Sequence, residues 1–158
     1  ENGKWKIKFD KNVREHEGVK IWITVPTLKD VAVSGSGDII GESPFKNLGD
    51  IHLAISGSGS IQLDADSKSL GAAVSGSGDM KLAGATGGFE IAISGSGNIE
   101  SFDLSSKTCE VSIAGSGDAS VNASESLQVS IAGSGDVFYK GSPKVQSKIS
   151  GSGDVVAK

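Results

Sequence analysis

Arginine is almost missing from this chain: Arg14 is the only one of fifteen basic residues that is not lysine. Proteins that hold nucleic acid need a basic stripe and favour Arg for phosphate and base contacts. With a formal net charge of -4 as well, the sequence argues against a nucleic-acid partner. Cysteine is reduced to Cys109, so no internal disulfide can form. The two histidines, His16 and His52, have no second His or Cys at zinc-ligand spacing, and both read as solvated surface residues. Aromatics make up 5% of the residues, too few for rows of stacking platforms; Trp22, Phe102 and Tyr139 are the candidates, and Trp22 is the best of them as a ligand surface. No apolar run approaches the roughly 20 residues that span a bilayer as a helix. Neither a starting Met nor a hydrophobic leader is present, and the chain reads as a trimmed mature form.

What the chain has in abundance is glycine, 23 residues of 158, most of it in one signature. The signature reads SGSGD from Ser34, SGSGS from Ser56, SGSGD from Ser75, SGSGN from Ser94, AGSGD from Ala114, AGSGD from Ala132 and SGSGD from Ser150. Seven copies at intervals of 18 to 22 residues mean one supersecondary unit stacked on itself.

Aligned on the first glycine, the copies alternate with a period of two. Two residues earlier stand Val33, Ile55, Val74, Ile93, Ile113, Ile131 and Ile149, all β-branched. Two steps further back lie Val31, Leu53, Ala72, Ile91, Val111, Val129 and Ser147, then Ile51, Leu70, Phe89, Cys109, Leu127 and Val145. Four residues past the first glycine stand Ile39, Ile61, Met80, Ile99, Ala119, Val137 and Val155. Such alternation is the mark of strands with one buried face. The glycines share the inward parity, so they point to a tight bend or a crowded approach that no Cβ tolerates. Each unit is then strand, glycine bend, shorter strand and polar turn. The turns are expected at 42–44, 64–67, 84–88, 105–107, 123–126 and 141–143. Stacking these units in register predicts an all-β, single-stranded parallel β-helix (solenoid) of about seven rungs. At about 4.8 Å per rung the rod is roughly 30 Å long. The glycine content and the period of two exclude a helical repeat.

Residues 1–33 differ from the repeat region, 34–158. Trp5, Ile7 and Phe9 alternate with lysines, and Val19, Ile21, Ile23 and Val25 alternate up to Pro26. Two strands joined by the polar turn 13–18 are predicted to cap the first rung, because an open rung offers unpaired backbone. After the last motif the sequence shows no cap. That open edge is truncated, paired end to end with another copy, or blunted by Lys158.

The run from Val19 to Leu28 leading into Val31-Ala32-Val33-Ser34-Gly35-Ser36-Gly37-Asp38-Ile39 resembles a Bacteroidetes family, described as putative auto-transporter adhesin, head GIN domain. The resemblance covers about residues 18 to 158. It implies a right-handed β-helix and an exported cell-envelope protein, often lipid-anchored, with no catalytic residues to carry over. On that reading the partner is a glycan or a matrix protein.

Chemistry needs unlike groups that converge, and the repeat supplies like groups in columns. One column is Asp38, Ser60, Asp79, Asn98, Asp118, Asp136 and Asp154, and beside it runs a serine column from Ser36 to Ser152. The aspartates have two readings. They cap the glycine bends by accepting backbone N–H bonds, or they hold calcium, best along Asp118, Asp136 and Asp154. No other cofactor is implied. Cys109 falls in an inward column and reads as a small buried hydrophobe. Asn122-Ala123-Ser124 fits a glycosylation sequon, which on a bacterial reading is chance. The expectation is a non-enzymatic binding module. A polysaccharide-active enzyme is the rival, revived by any groove that joins Asp with Lys or His, and a structural spacer is the third reading.

Overall fold

The computed structural model describes Ile7 and residues 19–158. Ten strands and no helix make up these residues: β1 (Asp30–Gly35), β2 (Asp38–Ile40), β3 (Phe45–Gly57), β4 (Ser60–Gly76), β5 (Asp79–Gly95), β6 (Ile99–Gly115), β7 (Ala119–Gly133), β8 (Val137–Lys140), β9 (Lys144–Gly151) and β10 (Val155–Ala157). All pairings are parallel, and the ladder runs β1-β3-β4-β5-β6-β7-β8-β10, with β2 on β4 and β9 on β7. This is a β-solenoid of about seven turns. Glycine stacks on glycine along the whole ladder, from Gly35 on Gly57 to Gly133 on Gly151.

The inward columns form one continuous core. Ile55, Val74, Ile93, Ile113 and Ile131 are all at most 2% exposed, as are Ile61, Met80, Ile99, Ala119 and Val137 on the strands after the bends. Fully burying one such side chain stabilises the fold by about 1.5–3 kcal/mol, so these rows carry the stability of the rod. Before each bend a strand meets the same motif position on the rungs it pairs with, so that a one-residue slip there would turn the buried rows outward.

The two motif glycines are needed for different reasons. The first takes a positive φ, from 100° at Gly35 to 143° at Gly133, which turns the chain through the bend. The second lies flat on the rung before it: a Cβ on Gly78 would sit 2.5 Å from both the Gly59 oxygen and Ile55 Cγ2.

Two expectations need correction. The polar segments 64–67, 84–88, 105–107 and 123–126 are not turns between strands. They lie inside β4, β5, β6 and β7, which run through the corner unbroken for 15 to 17 residues. Stacked corners can keep pairing with the rungs on either side, so the chain bends within the ladder, with register shifts near residues 81–83 and 100–108. Hydroxyls stand in for loop backbone there. Ser67 Oγ donates to Thr86 Oγ1 at 3.1 Å, and the Ser106 hydroxyl donates to the Asn122 carbonyl at 2.9 Å. Only 42–44 and 141–143 are interruptions of the expected kind.

The second correction concerns residues 19–25, which are not a strand. Val19, Ile21, Trp22 and Ile23 are 43–72% exposed. Alternation needs a ladder partner to become a strand, and among the described residues this segment has none. The solenoid itself begins at Asp30, so the expected boundary at residue 33 falls inside β1. The other expected capping strand (around Trp5 and Phe9), the turn 13–18 and His16 lie outside the described residues.

Candidate functional site

The bends line up along one edge of the rod, and there the acidic column forms a ladder. Asp38 Oδ1 accepts from the Ser60 N–H at 3.1 Å and from the Ser60 hydroxyl at 2.6 Å. Asp79 Oδ1 accepts from the N–H and the side-chain amide of Asn98, both at 3.0 Å. Asn98 Oδ1 takes the Asp118 N–H at 3.0 Å, Asp118 Oδ1 the Asp136 N–H at 2.7 Å, and Asp136 Oδ1 the Asp154 N–H at 2.8 Å. Each side chain therefore satisfies the backbone donor of the next rung, not one in its own bend. Ser60 is too short for this, and the Asp79 N–H turns to the Gly59 carbonyl at 3.3 Å.

The three residues singled out for calcium, Asp118, Asp136 and Asp154, are stacked on successive rungs by this ladder. Asp118 and Asp136 each commit one carboxylate oxygen to it. Among the described residues no three His, Cys, Asp or Glu side chains gather around a common point. The bonds that Asp118 and Asp136 make are those of a backbone cap.

The other named residues are dispersed. Trp22 is 72% exposed and donates its indole N–H to Glu42 Oε1 at 3.3 Å, near the turn between β2 and β3. His52 is exposed on the outward face of β3. Cys109 is buried, and burial, with a smaller contribution from the Glu110 carboxylate, pushes its thiol up to about 12. Such a thiol is not a nucleophile at neutral pH.

The outer surfaces differ in kind. Before the bends one outward column is mostly small, Ala32, Ala54, Ala73, Ala92, Ser112 and Ser130, ending in Lys148, and the next one back varies: Asp30, His52, Gly71, Glu90, Glu110, Gln128 and Gln146. An open hollow of about 480 Å³ runs along this face from Ala32 to Ser112. After the bends the outward column reads Ile40, Gln62, Lys81, Glu100, Ser120, Phe138 and Val156, with the chemistry changing at each rung. Two hollows of about 280 and 410 Å³ lie on that face and share Lys81, Asn98 and Glu100; the larger adds Phe102, Asp103, Asp118, Phe138 and Lys158. Lys140 Nζ stands 4.5 Å from the centre of the Phe102 ring, and Lys158 Nζ 4.6 Å from that of Phe138. Phe102 was legible as an aromatic candidate, whereas Phe138 and its acidic and basic neighbours were not. Their signal is an outward column that fails to repeat.

A model of the family described as putative auto-transporter adhesin, head GIN domain, matches residues 1–143. The chain belongs to this family. Solved structures agree. A putative adhesin from Bacteroides fragilis is similar at 33% identity and a TM-score of 0.81, with 94% of this chain and 69% of that one covered. A putative lipid binding protein from Parabacteroides distasonis is similar at 32% identity and a TM-score of 0.79, covering 82% of this chain. A putative adhesin from Parabacteroides merdae follows at 25% identity and a TM-score of 0.69, covering 83% of this chain and 64% of that one. This chain spans about half, 52%, of the lipid binding protein's length. No curated protein matches it. The family suggests a surface or exported protein, and no helix among the described residues is long and apolar enough to cross a membrane.

Proposed function

We propose that the chain is a non-catalytic binding module of an exported cell-envelope protein and takes its ligand on the face that follows the glycine bends. The observation that carries this is the column from Ile40 to Val156. A solenoid with no ligand to read has no need of hollows lined by unlike groups, and here that face sets Gln62, Lys81 and Glu100 on adjacent rungs, with Phe138 two rungs beyond Glu100, around two such hollows. Apolar rings beside charged and amide groups suit a glycan or an extended segment of a matrix protein, with a stacking surface and hydrogen-bond partners side by side. The adhesin names of the neighbours and their bacterial sources support a surface role in a Bacteroidetes envelope, with a lipid anchor in the full-length protein.

The test is binding of labelled protein to an array of glycans and matrix proteins, in calcium and in chelator. Specific binding that Phe138→Ala or Glu100→Ala abolishes, with melting unchanged, is the expected outcome. Silence across the array, or binding indifferent to both substitutions, would sink the reading. Loss in chelator would bring calcium at Asp118, Asp136 and Asp154 into the site.

One observation favours the enzymatic rival. The larger hollow sets Asp103 and Asp118 beside Lys81 and Lys158, the acid and base pairing that polysaccharide cleavage would need. Release of products from an acidic polysaccharide, lost in Asp103→Asn and Lys81→Ala, would establish it over the binding module.

A further inference from the structure

The two hollows that follow the bends form one trough. The smaller is lined from Ser60 and Gln62 on β4 to Glu100 on β6, the larger from Lys81 on β5 to Phe138 on β8, and they overlap at Lys81, Asn98 and Glu100. Ser120, the smallest side chain of the outward column, lies between Glu100 and Phe138, so the floor is lowest where the larger hollow opens. The trough therefore crosses the strands and follows the rod. From Gln62 to Phe138 it spans four rung steps, about 19 Å at about 4.8 Å per step.

The lining selects for an uncharged ligand. In the larger hollow Lys81 and Lys158 stand among Glu100, Asp103 and Asp118. A chain with a negative charge on every unit would set like charges against those carboxylates. An ammonium group only donates and a carboxylate only accepts, whereas a hydroxyl does both, so the mixture suits a polyol. The one ion pair among the described residues joins Lys46 to Asp66 at 2.9 Å, which leaves these lysines and carboxylates unpaired with one another. Lys140 and Lys158 also hold their ammonium groups beside the Phe102 and Phe138 rings. Apolar ring and donor together match a pyranose, which has C–H faces and a hydroxyl rim.

Spacing separates a glycan from a peptide. An extended peptide presents side chains to one side about every 6.6 Å and falls out of step with rungs about 4.8 Å apart. A pyranose in an extended chain advances by close to one rung step, so each sugar meets a new rung. We infer, on the strength of the binding role proposed above, that the trough takes a neutral linear glycan lengthwise, one sugar to a rung. Phe102 and Phe138 stack one part of that chain, and Gln62 holds another part four rungs away.

The experiment is titration calorimetry of the 158-residue protein with neutral cello-, xylo- and manno-oligosaccharides of two to six units. Oligogalacturonates of the same lengths and an extended fibronectin peptide are titrated beside them. At least one neutral series should bind, more tightly with each added sugar from two to five. Phe138→Ala should weaken every length roughly tenfold, and Gln62→Ala only chains of about five units or more, roughly threefold, both with melting unchanged. Affinity flat beyond two sugars would overturn the inference, as would binding of the five-unit chain indifferent to Gln62→Ala. Oligogalacturonate or the peptide binding as tightly, and lost in Phe138→Ala, would overturn the neutral glycan and leave the binding face standing. Silence from every probe would also overturn it, and if the wider array of glycans and matrix proteins is silent too, the binding role falls with it.

Discussion

The middle of the rod and its two ends are built from the same repeat and behave as different materials. In the middle, β4 to β7 run 15 to 17 residues each, and inward side chains such as Ile93 and Ile113 are at most 2% exposed. At the ends, β2 and β10 are three residues long, and Ile39 and Val155, in the same column as Ile99, are only half-buried. The residue types match, so the sequence of a rung does not determine its burial. Burial is supplied by the rungs on either side, and among the described residues an end rung has one neighbour where a middle rung has two. Stability in such a rod is a nearest-neighbour sum.

The largest effect should come from emptying the same inward position in the two regions. Ile113→Ala removes a branched side chain with closed packing on both sides, and is expected to cost about 2–5 kcal/mol. Ile149→Ala removes one that water already reaches, and should cost less than about 1 kcal/mol. Equal losses in urea titrations would break the comparison. The glycines sharpen it. Gly78→Ala forces a methyl into the Gly59 carbonyl and Ile55, and is expected to cost about 1–3 kcal/mol. Gly37→Ala, whose Cβ would meet nothing within 4 Å among the described residues, should cost less than about 0.5 kcal/mol.

Cys109 separates the inside of the middle from everything outside it. The folded protein keeps this thiol protonated up to about 12, whereas the unfolded chain releases its proton in the ordinary thiol range near 8.5. Above that range the unfolded state therefore binds fewer protons than the folded state. Stability is flat below it and falls as pH rises toward 12, by at most about 1.4 kcal/mol per pH unit. Denaturation followed from pH 8 to 10 should show the decline, and Cys109→Ala should flatten the curve although it begins lower. A wild-type curve equally flat would mean that the thiol is not buried.

The middle was legible in the sequence because its constraints recur. Seven copies of a period-two pattern left the inward columns, the parallel stacking and the buried Cys109 little freedom. The corners were misread because composition marks Asp64 to Ser67 and Gly84 to Gly88 as turn-like. Only stacking reveals that neighbouring corners go on pairing through them. The segment 19–25 alternates as well as any strand in the chain, and alternation says nothing about whether a partner lies within reach. Phe138 escaped notice for the opposite reason: a surface position that differs on every rung has no column to make it visible.

The smallest expected effect concerns the acidic ladder, and it tests whether that ladder is architecture or a cation site. Asp118→Ala removes the acceptor of the Asp136 N–H and should cost about 1 kcal/mol. Asp154→Ala, with no rung beyond it among the described residues, should cost close to nothing in the monomer. Asp118→Asn is the sharper substitution, because Asn98 already holds a rung by its Oδ1, accepting the Asp118 N–H. An amide keeps that bond and removes a charge from a column where carboxylates on successive rungs, about 5 Å apart, repel by roughly 1 kcal/mol in water. The ladder therefore expects Asp118→Asn to melt at or above the wild-type temperature, with or without calcium. A calcium site expects the reverse, because it would lose a charged ligand. If wild type gains stability on calcium addition and Asp118→Asn does not, the column binds a cation and the backbone bonds serve to position its ligands.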